Sequence, residues 1–162
     1  MKYKGKNLRE IKFPLGGIGT GCVNICGNGR MCDFEIFDRP DKGGLNGYTH
    51  FAVKAQTGGK KFVKVLQGDY DSSFMGEYRR IPYAGYGFGP PAETMAGFPP
   101  FKKVTFDGKF PIAELKFSDA EFPGRITLTA FNPLIPYDSY NSGLPAAFFE
   151  IEYENDTDDA IE

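Results

Sequence analysis

The chain has 162 residues, of which 41% are hydrophobic and 25% charged, and its formal net charge is −2. This length fits one domain with a buried core. Lysine and arginine form no long run, which argues against nucleic acid or an anionic membrane surface as the main partner. Sixteen Phe and nine Tyr favour strands, while 21 Gly and 12 Pro punctuate the chain every few residues.

Residues 1–10 are basic, but no apolar stretch follows them, which argues against a secretory signal peptide. No window approaches the ~20 apolar residues of a membrane span. The three cysteines cannot all pair, and without a signal peptide reduced thiols are the better default. These features predict a cytoplasmic protein with no membrane span.

The first motif is a glycine cluster, Gly16-Gly-Ile-Gly-Thr-Gly21. A dinucleotide-binding G-x-G-x-x-G motif that starts at Gly17 would need its third glycine where Cys22 stands. No helix pattern follows that could hold a phosphate at its N-terminus. The cluster therefore predicts a tight bend with close backbone approach, leading into a strand.

Three hairpins are predicted from alternating apolar residues on either side of glycine-containing turns. They comprise residues 22–26 and 30–37 around Gly27-Asn28-Gly29, residues 49–55 and 61–66 around Thr57-Gly58-Gly59, and residues 104–106 and 112–117 around Asp107-Gly108. Residues 125–131 and 146–153 are predicted as two later strands, and no helical segment of about ten residues is found. Many short strands at this spacing predict an all-β fold, an antiparallel β-sandwich.

The last residues suggest that this sandwich is incomplete at its C-terminus. Residues 155–159 have the composition of a turn, after which residues 160–162 begin a further strand. We therefore expect residues 1–162 to be one partial β-sandwich domain.

Residues 70–103 form a long irregular stretch, which in a compact domain is typical of a functional loop or of packing against another domain. Aromatic rings can stack on the apolar face of a sugar, so the aromatic residues of this loop are the candidate substrate-binding residues. These are Tyr83, Tyr86, Phe88, Phe98 and Phe101. Alternatively, the same rings pack under the loop or against a neighbouring domain.

The cysteines and the single histidine raise the question of a metal or nucleophile site. Cys22, Cys26, Cys32 and His50 could be read as zinc ligands, but they are spread over three strands and contain no C-x2-C knuckle. Cysteines that pack as small buried hydrophobes fit the pattern better. No G-x-S-x-G motif accompanies His50, which we expect to be structural. We predict no metal site and no cofactor.

Carboxylate pairs are the machinery of glycoside hydrolysis, and several occur here. The candidates are Asp33 with Glu35, Asp38 with Asp41, and the row Glu150, Glu152 and Glu154. Carboxylates at i, i+2 on a strand share one face, and such a face is usually solvated. We therefore expect these carboxylates to lie on solvated faces, since catalysis needs a cleft as well.

Several blocks in a fixed order resemble one known family. The blocks are residues 13–21, 29–37, 87–101, 110–117, 130–145 and 148–155. Together they resemble the N-terminal β-sandwich domain of family 116 glycoside hydrolases, the bile-acid β-glucosidase or non-lysosomal glucosylceramidase family. Cys22 stands where the opening motif of that family usually has a small residue.

The resemblance implies a sandwich packed on a C-terminal (α/α)6 barrel that hydrolyses β-glucosides with retention. It implies a glutamate nucleophile and an aspartate acid/base in that barrel, at positions that would lie beyond Glu162. We therefore expect an N-terminal segment that supports an absent catalytic domain and contacts β-glucoside or glucosylated lipid only through the full-length enzyme. The alternative is a free-standing carbohydrate-binding or protein-interaction module that uses the aromatic loop.

Overall fold

The computed structural model of the chain describes residues 1–44, 48–69, 95 and 97–162. Within these ranges it has ten strands, a 3-10 turn over Gly5–Leu8 and one short helix, α1 (Ser139–Ser142). The strands are β1 (Lys2–Lys4), β2 (Lys12–Leu15), β3 (Cys22–Cys26), β4 (Met31–Glu35), β5 (Ala52–Thr57), β6 (Lys60–Val65), β7 (Lys103–Lys109), β8 (Ile112–Ser118), β9 (Arg125–Phe131) and β10 (Phe148–Glu154). The predicted all-β class is confirmed.

The described strands form three sheets, with orders β1-β7-β8-β9-β10, β2-β3-β4 and β5-β6. Every ladder between these strands is antiparallel. The first two predicted hairpins appear as β3–β4 and β5–β6, and the two later strands as β9 and β10. No helix in the described part of the chain is long and apolar enough to cross a membrane.

The core lies between the five-stranded sheet and the two smaller sheets. On β8, Ala113, Leu115 and Phe117 alternate with more exposed residues and have no exposed surface. The smaller sheets bring Ile25 and Ala55 into the same buried cluster. This alternation is typical of antiparallel strands with one face on the core and one in solvent. The layers therefore give a sandwich-like arrangement.

The third hairpin is present, but the turn prediction at Asp107-Gly108 is wrong. Strand β7 runs through both residues, and Lys109 pairs with Ile112, so that the chain reverses at Phe110-Pro111. Proline lacks the N–H that would continue a strand ladder, which explains the reversal there. Gly108 remains in the strand, where a Cβ would lie only 2.6 Å from the Phe106 ring.

Candidate interaction surface

Two segments far apart in the sequence, residues 13–21 and 130–147, meet in a contact that we call the joint. Asn132, directly after β9, connects them through both ends of its side-chain amide. Gly16 N donates to Asn132 Oδ1 at 2.7 Å, and Asn132 Nδ2 donates to Pro14 O at 3.0 Å. Asn132 is buried, so these hydrogen bonds are sheltered from water.

The glycine cluster lets the backbones of the joint approach closely. A Cβ on Gly17 would lie 2.1 Å from Leu144 O, and one on Gly16 would lie 2.4 Å from Gly21 O. The backbone N–H of Ile18 donates to Ser142 O at 2.8 Å. The predicted close backbone approach is confirmed, and it explains why these positions need glycine.

Residues 130–147 are also held by their own hydrogen bonds. The Ser142 hydroxyl donates to Ile135 O at 3.0 Å and accepts from Ile135 N at 2.9 Å. Asp138 caps α1 by accepting from Asn141 N at 2.9 Å, and hydrogen bonds from Asn141 lower the pKa of that carboxyl. Between these anchors, Tyr137 adopts a left-handed conformation with φ of 67°, which is uncommon for a bulky residue.

Large apolar side chains project from the joint into solvent. They are Ile18, Leu134, Ile135, Tyr137, Tyr140 and Leu144, and we call this set the joint surface. Tyr137 is fully exposed and Tyr140 is 83% exposed. Residues 13–29 carry no charge, and Asp138 carries the only one in residues 131–149. Six large exposed apolar side chains on two nearly uncharged segments that meet make this surface the candidate interaction site.

A cleft of about 280 Å³ opens beside the joint. Its lining includes Thr20, Cys22, Phe34, Ile36, Phe37 and Pro145. The Thr20 hydroxyl donates to Gly17 O at 3.0 Å, so its hydrogen is used within the joint. The cleft thus offers mainly apolar contacts, and Phe37, 85% exposed, stands at its edge.

A larger groove of about 700 Å³ lies between residues 4–9 and the start of β7. Leu8, Phe101 and Val104 are among its apolar lining, and its basic residues include Lys4 and Lys103. Its lining is mostly polar and charged, and its volume lies in the range of small-ligand sites.

Asp33 was predicted on a solvated face, and this prediction is wrong. The side chain has no exposed surface, and Lys12 Nζ lies 2.8 Å from its Oδ2 and 3.0 Å from its Oδ1. Asn24 Nδ2 and Gly43 N also donate to the carboxylate. The β3–β4 register shifts at this point and Asp33 has φ of 51°, so a bulge breaks the alternation of faces and turns Asp33 inward.

The other candidate carboxylates differ in their partners and in their exposure. Glu35 forms an ion pair with Lys42, and Asp41 Oδ2 accepts from Phe34 N at 3.1 Å. Asp38 is exposed. The row on β10, consisting of Glu150, Glu152 and Glu154, is exposed and forms the solvated face that its alternation predicted.

The cysteines contact different partners. Cys26 Sγ lies 3.0 Å from Cys32 Sγ, with both residues buried, whereas Cys22 Sγ lies 3.8 Å from Glu35 Oε2. His50 Nδ1 contacts Tyr48 O. No group of three or more His, Cys, Asp or Glu side chains that could hold a metal ion occurs among the described residues.

The aromatic loop candidates fall into two groups. Tyr83, Tyr86 and Phe88 lie outside the described residues. Phe98 is 53% exposed, but Phe101 is completely buried and packs in the core against Phe117 and Phe122.

The sequence reasoning missed the joint surface, although one signal could have indicated it. Residues 131–149 are nearly free of charge in a chain with 25% charged residues, and they include the exposed Ile135, Tyr137 and Tyr140.

Comparison with known protein families gives a match that includes both segments of the joint. A family model described as beta-glucosidase 2, glycosyl-hydrolase family 116 N-term, matches residues 12–162. No curated protein matches the chain.

Proposed function

This chain belongs to the N-terminal domains of glycosyl hydrolase family 116, and we propose that in such an enzyme it supports the catalytic domain without being catalytic itself. The observation that carries the proposal is the family match over residues 12–162. The enzyme would be a retaining β-glucosidase of the glucosylceramidase type, working in the cytoplasm on a β-glucoside or glucosylated lipid. The chain would then be a partial sandwich domain, with the (α/α)6 domain outside residues 1–162.

The described carboxylates support a non-catalytic role. Retaining hydrolysis needs two carboxyl groups about 5–5.5 Å apart on either side of the scissile bond. The two buried ones, Asp33 and Asp119, each form an ion pair with a lysine, and each stabilises a connection between strands and loops. The described lining of the cleft beside the joint includes no carboxylate, and that of the larger groove includes one, Asp69, where retention needs two. We therefore assign the acid and nucleophile to the catalytic domain.

The proposal is tested by the size and activity of the native product. An antibody raised against this chain should detect a polypeptide several times larger than 18.0 kDa in the source cells. That polypeptide, once isolated, should hydrolyse an aryl β-glucoside with retention, whereas the 162-residue chain should not. A native product of 18.0 kDa, or a large one without β-glucosidase activity, would contradict the proposal.

The alternative function is a free-standing carbohydrate-binding module, favoured by the exposed ring of Phe98 and by the groove beside Lys4 and Lys103. Titration of the chain with cellobiose and glucose, followed by calorimetry, separates the two readings. The control is Phe110→Ala, because Phe110 is 61% exposed and Phe98 is 53% exposed. Saturable binding that is lost in Phe98→Ala and kept in Phe110→Ala would favour the module. Absence of heat with both sugars would favour the supporting role.

A further inference from the structure

We propose that Cys26 and Cys32 form an intramolecular disulfide when the protein reacts with a hydroperoxide, so that the β3–β4 hairpin is a reversible oxidation site. The two sulfur atoms lie 3.0 Å apart, and both residues are buried. Heavy atoms in ordinary packing contact are about 3.5–4.0 Å apart. The distance is about 1 Å longer than a disulfide bond, so the two thiols are closer than packing alone requires.

The pairing of β3 with β4 places the two thiols on one face of the hairpin. Asn24 pairs with Cys32, and Cys26 follows Asn24 by two residues on the same strand face. Cys26 and Cys32 are therefore diagonal neighbours, which lie within reach of each other in an antiparallel pair. The Cys26 N–H donates to Arg30 O at 2.7 Å, so the ladder continues up to the turn. Closing the bond needs a movement of the side chains and leaves the strand pairing in place.

The surroundings give the two thiols different roles. The hydrogen bond with Cys32 lowers the pKa of Cys26, as do the positive charges of Arg30 and Lys12, and together they outweigh burial. The same hydrogen bond and burial raise the pKa of Cys32. Because the thiolate is the reactive form of cysteine, Cys26 is the nucleophile and Cys32 is the thiol that closes the disulfide.

The reaction balances with a hydroperoxide as the two-electron oxidant. The Cys26 thiolate attacks the terminal peroxide oxygen, the O–O bond breaks with loss of hydroxide or alkoxide, and Cys26 becomes a sulfenic acid. The sulfur of Cys32 then attacks the sulfur of Cys26. The S–S bond forms, the S–O bond breaks, and the departing hydroxide takes the Cys32 proton and leaves as water. A small thiol such as glutathione returns the disulfide to two thiols by exchange.

The position of the pair in the sheet provides a route for the oxidant. Cys32 lies on β4, an outer strand in the order β2-β3-β4, and Lys12 on the opposite outer strand pairs with Cys26. The Lys12 side chain is 27% exposed, so solvent reaches the strand beside Cys26. Local opening costs less than global unfolding, and a hydroperoxide is small enough to enter during it. Cys22 differs, since burial and the nearby Glu35 raise its pKa.

Redox titration of the chain tests the proposal with a pair of matched variants that each retain two thiols. These are Cys22→Ser, which keeps the proposed pair, and Cys26→Ala, which keeps Cys22 and Cys32. Each is equilibrated with mixtures of reduced and oxidised glutathione, folded and in urea, and its intact mass is measured. We expect folded Cys22→Ser to become lighter by about 2 Da, the two hydrogens lost. Half-conversion should need a mixture at least tenfold less oxidising than in urea, because the fold holds the two sulfur atoms together.

The remaining measurements distinguish this pair from unselective oxidation. Folded Cys26→Ala should form no intramolecular disulfide in the mixture that converts Cys22→Ser. In the unchanged chain, hydrogen peroxide should give a peptide in which Cys26 is linked to Cys32, with Cys22 still labelled by iodoacetamide, and dithiothreitol should remove the link. A Cys22→Ser chain that converts no more readily when folded than in urea would overturn the proposal. A disulfide that contains Cys22, or peroxide that oxidises Cys22 and leaves the pair as thiols, would overturn it as well.

Discussion

Lys12 Nζ contacts both carboxylate oxygens of Asp33, at 2.8 Å and 3.0 Å, and so connects β2 to β4 across the intervening strand β3. The carboxylate has no exposed surface, while the lysine side chain is 27% exposed. Taking a carboxylate out of water costs several kcal/mol unless a cation and hydrogen bonds replace the water. The ion pair with Lys12 therefore stabilises the buried position of the Asp33 carboxylate in the bulge.

We expect Lys12→Met to lower the free energy of unfolding by about 3 kcal/mol, at the lower end for a broken buried pair because water reaches the lysine. The change leaves the Asp33 carboxylate buried without its cation. Urea unfolding at neutral pH measures the loss. Lys116→Met is the control, since Lys116 pairs with Glu114 on the exposed face of β8, and it should cost under about 1 kcal/mol. Equal losses of unfolding free energy in the two variants would show that the buried pair stabilises the fold no more than the exposed pair does.

Acid should destabilise the chain through Asp33 and Asp119. Burial raises the pKa of each carboxyl, but the hydrogen bonds that each accepts lower it by more, so both pKa values are lowered. The donors are Lys12, Gly43 and Asn24 at Asp33, and Lys64 and Glu121 at Asp119. In the unfolded chain, the pKa of an aspartate is about 3.9. The stability due to these groups is therefore complete above that pH and is lost as the pH falls through the lower folded values.

The measurement is urea unfolding at a series of pH values from neutral to about 2. The double variant Asp33→Asn, Asp119→Asn should be less stable at neutral pH and should lose less further stability in acid. A slope below about pH 4 equal to that of the unchanged chain would show that other carboxyls cause the acid effect.

Gly17→Ala should open the joint, because the added Cβ would lie 2.1 Å from Leu144 O, a backbone atom that cannot rotate away. Overpacking of this kind typically costs about 1–3 kcal/mol. We expect that loss in urea unfolding, together with faster hydrogen exchange at the Ile18 amide, which donates to Ser142 O. Gly19→Asn is the control, since the space around Gly19 is open and asparagine tolerates its φ of 75°. If Gly17→Ala left the hydrogen exchange of the Ile18 amide unchanged, the close contact between residues 13–21 and 130–147 would be contradicted.

Thiol labelling should separate Cys22 from the other two cysteines. Cys26 and Cys32 are buried and contact each other, while Cys22 is partly exposed. Burial and the nearby Glu35 raise the pKa of Cys22, so it should react slowly at neutral pH and faster in alkaline solution. We expect one labelled thiol in the folded chain and three in urea, by intact mass. Cys22→Ser should leave the folded chain unlabelled, and labelling of Cys26 or Cys32 before unfolding would contradict their burial.

The part of the fold that depends on local alternation could be predicted from the sequence. The pattern of Ala113, Leu115 and Phe117 on β8 identifies its buried face without further information. Strand β1 could not be found in this way, because Lys2-Tyr-Lys4 is basic and its strand character comes from pairing with β7. The burial of Asp33 was equally hidden, since it depends on a register shift between two strands.

The candidate site was harder to predict for a similar reason. Its glycines indicated close backbone approach, but they could not indicate which backbone would approach. The backbone that approaches Gly17 is that of Leu144, 127 positions along the chain. The exposed residues Tyr137 and Tyr140 resemble core residues in a sequence, because burial depends on what surrounds a side chain in space.

The long separation in sequence between the glycine cluster and residues 132–144 has a consequence for how the protein is synthesised. Synthesis from the N-terminus delivers residues 13–26 long before Asn132 or Leu144 exists, and these residues contain no charge. The β3–β4 hairpin can form at once from neighbouring residues, whereas Gly16 and Gly17 must wait for residues 132–144. A nascent chain stalled before residue 132 would therefore present an open, apolar N-terminal segment, the kind of sequence that general chaperones bind. Contact of residues 132–144 with Gly16 and Gly17 would close this segment.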